Sequence, residues 1–193
     1  MNKAQKKLSL ILAILCVALI IIDQIIKVLV KTNMSLGQCI PVIGDWFKLL
    51  FIENEGMAFG MAFGGKVGKF LLTFFRIILV GLILWWMSIL MKREQKVPTG
   101  VFVGLTLILA GAIGNVIDCL FYGIIWDYAP LMFGKVVDMF YFPLIDIVLP
   151  SWLPIWGGQR FTFFDPVFNF ADSCVCVGAF YLIIFHFKFF SQE

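Results

Sequence analysis

The side chains with which this chain could do chemistry are few and grouped. Asp23 and Lys27 stand four residues apart, on one helical face. Asn115 and Asp118 stand three apart at the end of Gly111-Ala112-Ile113-Gly114-Asn115-Val116-Ile117-Asp118. Asn169 and Asp172 repeat that spacing in Phe168-Asn169-Phe170-Ala171-Asp172-Ser173, and Lys135-Val136-Val137-Asp138 brings a further carboxylate between the two. The single histidine, His186, has no HExxH around it, which excludes a zinc peptidase of that kind. A serine nucleophile needs a base within hydrogen-bond reach, yet Ser88 and Ser173 have no histidine, and no Ser-Lys partnership is evident from the spacing. Carboxylates remain. Two of them near contact cannot both ionise, so one pKa rises and the pair shares a proton. One can then activate a water while the other protonates the leaving group. Hydrolysis by an aspartate pair is the reaction this inventory supports.

These groups are set in a chain of 193 residues, 62% apolar and 14% charged, with a mean hydropathy of +1.00. A soluble domain carries about 25% charged and 45–50% apolar residues. The composition excludes a soluble enzyme, a disordered tail and a nucleic-acid binder; a net charge of +3 on scattered Lys and Arg makes no basic face. A spanning helix needs roughly 20 mostly apolar residues, and four segments qualify, at about 8–29, 70–91, 101–121 and 167–187. Lys3, Lys6 and Lys7, then Lys92, Arg93 and Lys96, then Lys188 fall on one side if both termini are cytoplasmic. Lys31, Lys48, Lys66, Lys69 and Lys135 oppose them from the other side. The first apolar segment has a basic start but no small-residue cleavage site, so it reads as a retained span.

The segments 31–69 and 122–166 are therefore extracytoplasmic. In the first, Trp46-Phe47-Lys48-Leu49-Leu50-Phe51-Ile52 followed by the turn signal Glu53-Asn54-Glu55-Gly56 predicts a short hairpin. The second, with Trp126, Tyr128, Trp152 and Trp156, suits packing at headgroup level. Five cysteines with no CxxC argue against a disulfide framework or a thiolate metal site, and read as small apolar residues. Polar groups at membrane depth cost about 2.5–3.5 kcal/mol each on insertion scales, which makes them functional candidates. Asp23 and Lys27 read either as a self-neutralising pair or as groups that orient a site. Gly111 and Gly114 permit close helix approach.

Five blocks now stand in order: Asp23-Gln24-Ile25-Ile26-Lys27, Asn54-Glu55-Gly56-Met57-Ala58-Phe59-Gly60, the stretch ending Asn115-Val116-Ile117-Asp118, Val136-Val137-Asp138, and Phe168-Asn169-Phe170-Ala171-Asp172-Ser173. In these blocks the chain resembles the bacterial lipoprotein signal peptidases (signal peptidase II), integral-membrane aspartyl peptidases. The resemblance implies that Asp138 and Asp172 are the catalytic pair. It implies Asn115 and Asn169 as hydrogen-bonding neighbours, Asp118 and Asp23 as structural or site-supporting acids, and Asn54 as a substrate contact, with Lys27, Gly56 and Ala171 supporting the site. It further implies a single membrane peptidase domain over 1–193: an all-α, four-transmembrane-helix bundle with a small extracytoplasmic β-cradle. The implied substrate is a diacylglyceryl-modified prolipoprotein, cut on the amino side of the lipidated cysteine, in the bacterial inner membrane. Both termini would be cytoplasmic, and the site near the outer face. A monomer without cofactor or metal is expected, its partners being that substrate and membrane lipid.

Two features depart from the family pattern. Arg usually follows the Asp of the third block, but Cys119 stands there; Arg76 or Lys135 is the expected substitute cation. The stretch between Asp138 and Asp172 is also longer than usual, with an insert at 141–164 that reads as a lid, a partner-binding flap or a tolerated loop. A proton- or ion-coupled transporter is the competing class, but it predicts midplane acids and repeated halves. Here the acids gather toward one surface and no repeat is visible. A non-catalytic membrane scaffold is the third alternative.

Overall fold

The computed structural model describes residues 2–55, 65–93, 97–152, 154–163 and 165–191; Gly56, the rest of its block to Gly60, and Lys96 lie outside these. Among the described residues four helical segments are long and apolar enough to cross a membrane: Lys3–Asn33, Gly65–Lys92, Thr99–Ile125 and Phe170–Ser191. The first is α1, opened by a capping box in which Asn2 and Gln5 exchange side-chain and backbone hydrogen bonds. It leads into β1 (Cys39–Ile43) and β2 (Phe47–Asn54), after which come α2 (Gly65–Lys92) and α3 (Thr99–Ile117). A five-residue π turn, Asp118–Tyr122, and the short α4 (Gly123–Ile125) extend the third apolar segment. Then follow β3 (Val136–Tyr141), β4 (Ile145–Val148), β5 (Arg160–Phe163), β6 (Val167–Phe168) and α5 (Phe170–Ser191).

α3 is the central helix, and its burial follows from its small residues. A side chain at Gly111 would run into the Ala171 carbonyl oxygen, and a Cβ at Gly114 would stand 2.6 Å from Asp23 Oδ2. Glycine there lets α5 and α1 close onto α3 at backbone distance, the small-residue packing that substitutes for a hydrophobic drive inside a bilayer. Leu12, Leu90, Val101, Phe102, Leu105 and Leu182 pack together in the half of the bundle away from the sheet.

The four-stranded sheet has the order β1-β2-β3-β6, antiparallel throughout. Its register sets Ile52 opposite Asp138 and Asn54 opposite Val136, so β2 carries Asn54 to the neighbourhood of the Asp138 carboxylate. A hairpin is present, but its turn lies at residues 44–46, where Gly44 has φ 51°, and Glu53 and Asn54 are not part of it, while Gly56 lies outside the described residues. Glu53 and Asn54 are strand residues because each finds a partner on β3, which outweighs their turn-like composition. Lys31, in the last turns of α1, pairs with Glu53 and stands 5.8, 5.3 and 5.1 Å from the ring centres of Phe51, Trp126 and Tyr128. That contact binds α1, the sheet and the segment after α4 to one another.

The ends of the four spans shift. Lys31 belongs to α1 and Lys66 and Lys69 to α2, so they are helical rather than loop residues. The fourth span begins at Phe170 instead of 167, because Val167 and Phe168 pair with Tyr141 and Phe140 as β6. Asp172 is therefore the third residue of its helix, shallower than an onset at 167 would put it.

Candidate active site

Asn169 and Asp172 form a reciprocal cap at the start of α5. The Asp172 backbone N–H donates to Asn169 Oδ1 at 2.9 Å, and the Asn169 backbone N–H donates to Asp172 Oδ2 at 3.3 Å. The Asn-x-x-Asp spacing is thus a helix-start device of capping-box form, and it sets the Asp172 carboxylate against the partial positive charge of the helix N-terminus. The other oxygen, Oδ1, accepts from Asn115 Nδ2 at 2.8 Å. Asn169 uses its amide nitrogen in the opposite direction, donating to Asp138 Oδ1 at 2.6 Å and to Asn115 Oδ1 at 3.2 Å. One buried asparagine therefore touches both carboxylates. Asn54 Nδ2 donates to the remaining Asp138 oxygen at 3.1 Å.

Asp138 lies on β3 and is 2% exposed. Burial, first, and the facing Asp172 charge, second, push its carboxyl up to about 7, against the opposing pull of its bonds from Asn54 and Asn169 and of the Lys27 charge. At neutral pH it therefore holds its proton much of the time, although an exposed aspartate would not.

Behind this pair stands a second polar layer. Lys27 Nζ reaches Asp118 Oδ2 at 2.7 Å, Asp23 Oδ2 at 2.9 Å and Asn115 Oδ1 at 3.0 Å. Asp23 Oδ1 accepts the Ala171 backbone N–H at 2.9 Å. Asn115 and Asp118 share the spacing of Asn169 and Asp172 but not the role: three apart at the end of α3, both turn toward Lys27. Asp23 and Lys27 thus neutralise each other, and the same ammonium contacts Asn115, which in turn contacts Asp172. Ala171, 1% exposed, has the small side chain that Gly114 packs against.

Sequence reasoning assigned no role to Gln24, although it lay inside a quoted block. Its Nε2 donates to Asp118 Oδ1 at 2.9 Å, and its Oε1 accepts from the Tyr122 hydroxyl at 3.1 Å. An amide in an apolar span was the signal for it. Lys69, read as a loop charge, is buried: Nζ donates to the Glu55 carbonyl at 2.8 Å and lies 3.5 Å from Cys119 Sγ. Arg76 Nη1 contacts the same sulfur at 3.1 Å. Cys119 is therefore a polar acceptor between two cations rather than a small apolar filler. Arg76, and not Lys135, lines a cavity of about 460 Å³ together with Leu79, Ala112, Asn115, Phe168 and Asp172. At one end α2 and α5 meet through Trp86 and Phe190; toward the other end this cavity lies between them.

Four apolar helices carrying a polar cluster at one end, with two carboxylates joined through one asparagine, define a multi-pass membrane protein with a hydrolytic style of site. Comparison with known proteins fixes the family. The model of signal peptidase (SPase) II matches residues 15–188. A lipoprotein signal peptidase of Porphyromonas gingivalis is 45% identical over 190 residues, covering 90% of this chain and 81% of that protein. Another, of Amoebophilus asiaticus, is 39% identical over 173 residues, covering 86% and 72%. A solved bacterial membrane enzyme, obtained by the in meso method, superposes with a TM-score of 0.65 at 25% identity over 94% of this chain and 90% of its own. The chain belongs to the signal peptidase II family.

Proposed function

We propose that this protein removes the signal peptide from diacylglyceryl-modified prolipoproteins, cutting on the amino side of the lipidated cysteine, and that Asp138 and Asp172 carry out the cut. The removal of lipoprotein signal peptides follows from family membership and the relatives' shared name. The single observation that supports the aspartyl reading is that Asn169 bonds both carboxylates, one of which, Asp138, is driven toward its neutral form. In this reading Asp172, accepting N–H bonds on both oxygens, takes a proton from water as its oxygen bonds to the scissile carbonyl carbon. Asp138 gives its proton to the carbonyl oxygen. The C–N bond then breaks as Asp172 passes the proton to the leaving cysteine nitrogen, and the diol returns a proton to Asp138, leaving a carboxyl on the signal peptide. Asn54 orients Asp138, while Asn115, Lys27, Asp23 and Asp118 hold the frame.

The one-domain bundle, with the sheet as an outer cradle, stands in the bacterial inner membrane as a monomer with both termini cytoplasmic. The peptide lies over the sheet, and the acyl chains leave between α2 and α5 along Leu79 and Val175, each buried CH₂ contributing about 0.8 kcal/mol. The test is incubation of purified protein with a diacylglyceryl-modified precursor and with its unlipidated form. Cleavage of the first alone is expected; flux across liposomes without cleavage contradicts the reading.

The proton on Asp138 sets a pH dependence. The turnover rate is expected to fall above about pH 7, by roughly tenfold per pH unit. Stability moves in the same direction: the folded chain keeps to about 7 a proton that the unfolded chain releases near 3.8, so the unfolding free energy falls as pH rises between those values. A pH–rate profile and thermal unfolding at a series of pH values check both.

Arg76 serves here as the cation at the cleft, presenting its guanidinium to a substrate main-chain carbonyl, with Cys119 as its positioning residue. Arg76→Met is expected to raise KM for the lipidated precursor about tenfold, in line with loss of a charged hydrogen bond of about 1.5–3 kcal/mol, and to change kcat less. Cys119→Arg in the Arg76→Met background is expected to recover part of the loss. Unchanged KM in the single variant contradicts this role.

A further inference from the structure

The β4–β5 ribbon is an apolar surface that neither the helices nor the candidate site uses. Among the described residues its two strands pair only with each other. At its end Val148, Trp152, Ile155 and Trp156 are 68, 78, 85 and 61% exposed, and residues 147–159 include no charged side chain. An isolated two-stranded ribbon is marginal in water, and an apolar patch of this kind marks a contact surface.

Three observations identify what covers it. The first is that the backbone at the tip closes on itself. Leu149 N–H donates to the Gln159 carbonyl and Gly158 N–H to the Leu149 carbonyl, both at 2.9 Å, and Gln159 N–H donates to the Trp156 carbonyl at 3.1 Å. The Gln159 side chain caps the Ile155 carbonyl at 3.3 Å, and Pro150 and Pro154 have no N–H to satisfy. Backbone groups bonded within the tip are ones that need no water, which lowers the cost of bringing it against lipid. The second is composition: two tryptophans among aliphatic residues match the amphipathic belt at a membrane–water boundary. The third is Ile155 itself, a β-branched residue at φ 75°, which is a strained conformation. It holds an aliphatic side chain outward with little of the protein around it. The base of the ribbon is fixed beside the start of α5, through the Tyr141–Val167 pairing and the bond from the Tyr141 hydroxyl to Asp165 at 3.0 Å. That is the level at which a span leaves the bilayer.

We propose that the β4–β5 tip is an interfacial anchor that seats Trp152, Ile155 and Trp156 among the headgroups of the outer leaflet. The proposal rests on the topology proposed above, with this ribbon on the outer side, and not on the aspartate chemistry. The test places an environment-sensitive fluorophore at Ile155→Cys in the full chain with Cys39 and Cys176 changed to serine, reconstituted in phosphatidylcholine–phosphatidylglycerol vesicles. The emission is expected to shift to the blue and to be quenched strongly by lipid with a shallow acyl-chain nitroxide and weakly by aqueous iodide. Adding Trp152→Asp and Trp156→Asp is expected to reverse that order. Strong iodide quenching of the singly labelled chain, quenching by neither agent, or lipid quenching that appears only with bound peptide inhibitor overturns the anchor. The first would leave the tip in water, the second would place it against another protein surface, and the third would make it a lid. The same measurement in an Asp138→Asn background separates this outcome from any failure of the peptidase reading.

Discussion

Asp138→Asn and Asp172→Asn are each expected to reduce cleavage of a lipidated precursor by at least about a thousandfold, within the range that positioned proton transfer contributes. Their stabilities are expected to differ, and the difference tests the geometry. Burial already drives Asp138 toward its neutral form, so a neutral amide of the same shape removes a desolvation cost that offsets the loss of one of the two bonds accepted from Asn54 and Asn169, and the melting temperature stays about level. Asp172 accepts from Asn115 and from the Asn169 backbone, one bond on each oxygen, and an amide can serve only one of them. Asp172→Asn is therefore expected to lower stability by about 1 kcal/mol. Turnover by quantitative mass spectrometry and unfolding in detergent measure the two effects. Cleavage at the wild-type rate by either variant would remove that residue from the pair.

The second large effect is expected at Lys27. Its side chain is fully buried, and one ammonium serves two carboxylates and the Asn115 carbonyl. Lys27→Met leaves Asp23 and Asp118 facing each other without a counter-charge at membrane depth. Removing one partner from a buried ion pair costs about 3–5 kcal/mol, so the variant should be recovered poorly and melt early. Activity should fall as well, because Asn115 loses the contact that aims it at Asp172. Adding Asp118→Asn, which removes one of the two stranded charges, is expected to restore part of the stability but not the full rate. A melting temperature unchanged in Lys27→Met would show that the cluster does not hold α1 to α3.

How far the sequence foretold this arrangement depends on whether the signal was local. Apolar run length is local, so all four long helices were legible, with ends displaced by several residues wherever a strand or a cap competes for the boundary. Lys66 and Lys69 read as loop charges because charge alone says nothing of a helix that extends past its apolar stretch. The Asn-x-x-Asp spacing was visible twice, but only the three-dimensional context makes one copy a helix cap and the other a pair of arms around Lys27. The turn of the β1–β2 hairpin was misplaced because composition at Glu53 and Asn54 favours a turn, and only the partners on β3 make them strand. The Cys119 thiol between Lys69 and Arg76 was illegible: both cations come from a different helix, about two turns apart, and no short-range pattern joins them to it. The five ordered blocks carried the family; the contacts among them belong to the fold.

The central claim is that two carboxyl groups act on one carbonyl carbon. A crystal structure with a peptide-like inhibitor that carries a secondary hydroxyl in place of the scissile carbonyl tests it most directly. The hydroxyl oxygen is expected to lie within about 3.2 Å of a carboxyl oxygen of both Asp138 and Asp172. A hydroxyl seated within that reach of only one of them, or of neither, would contradict the account.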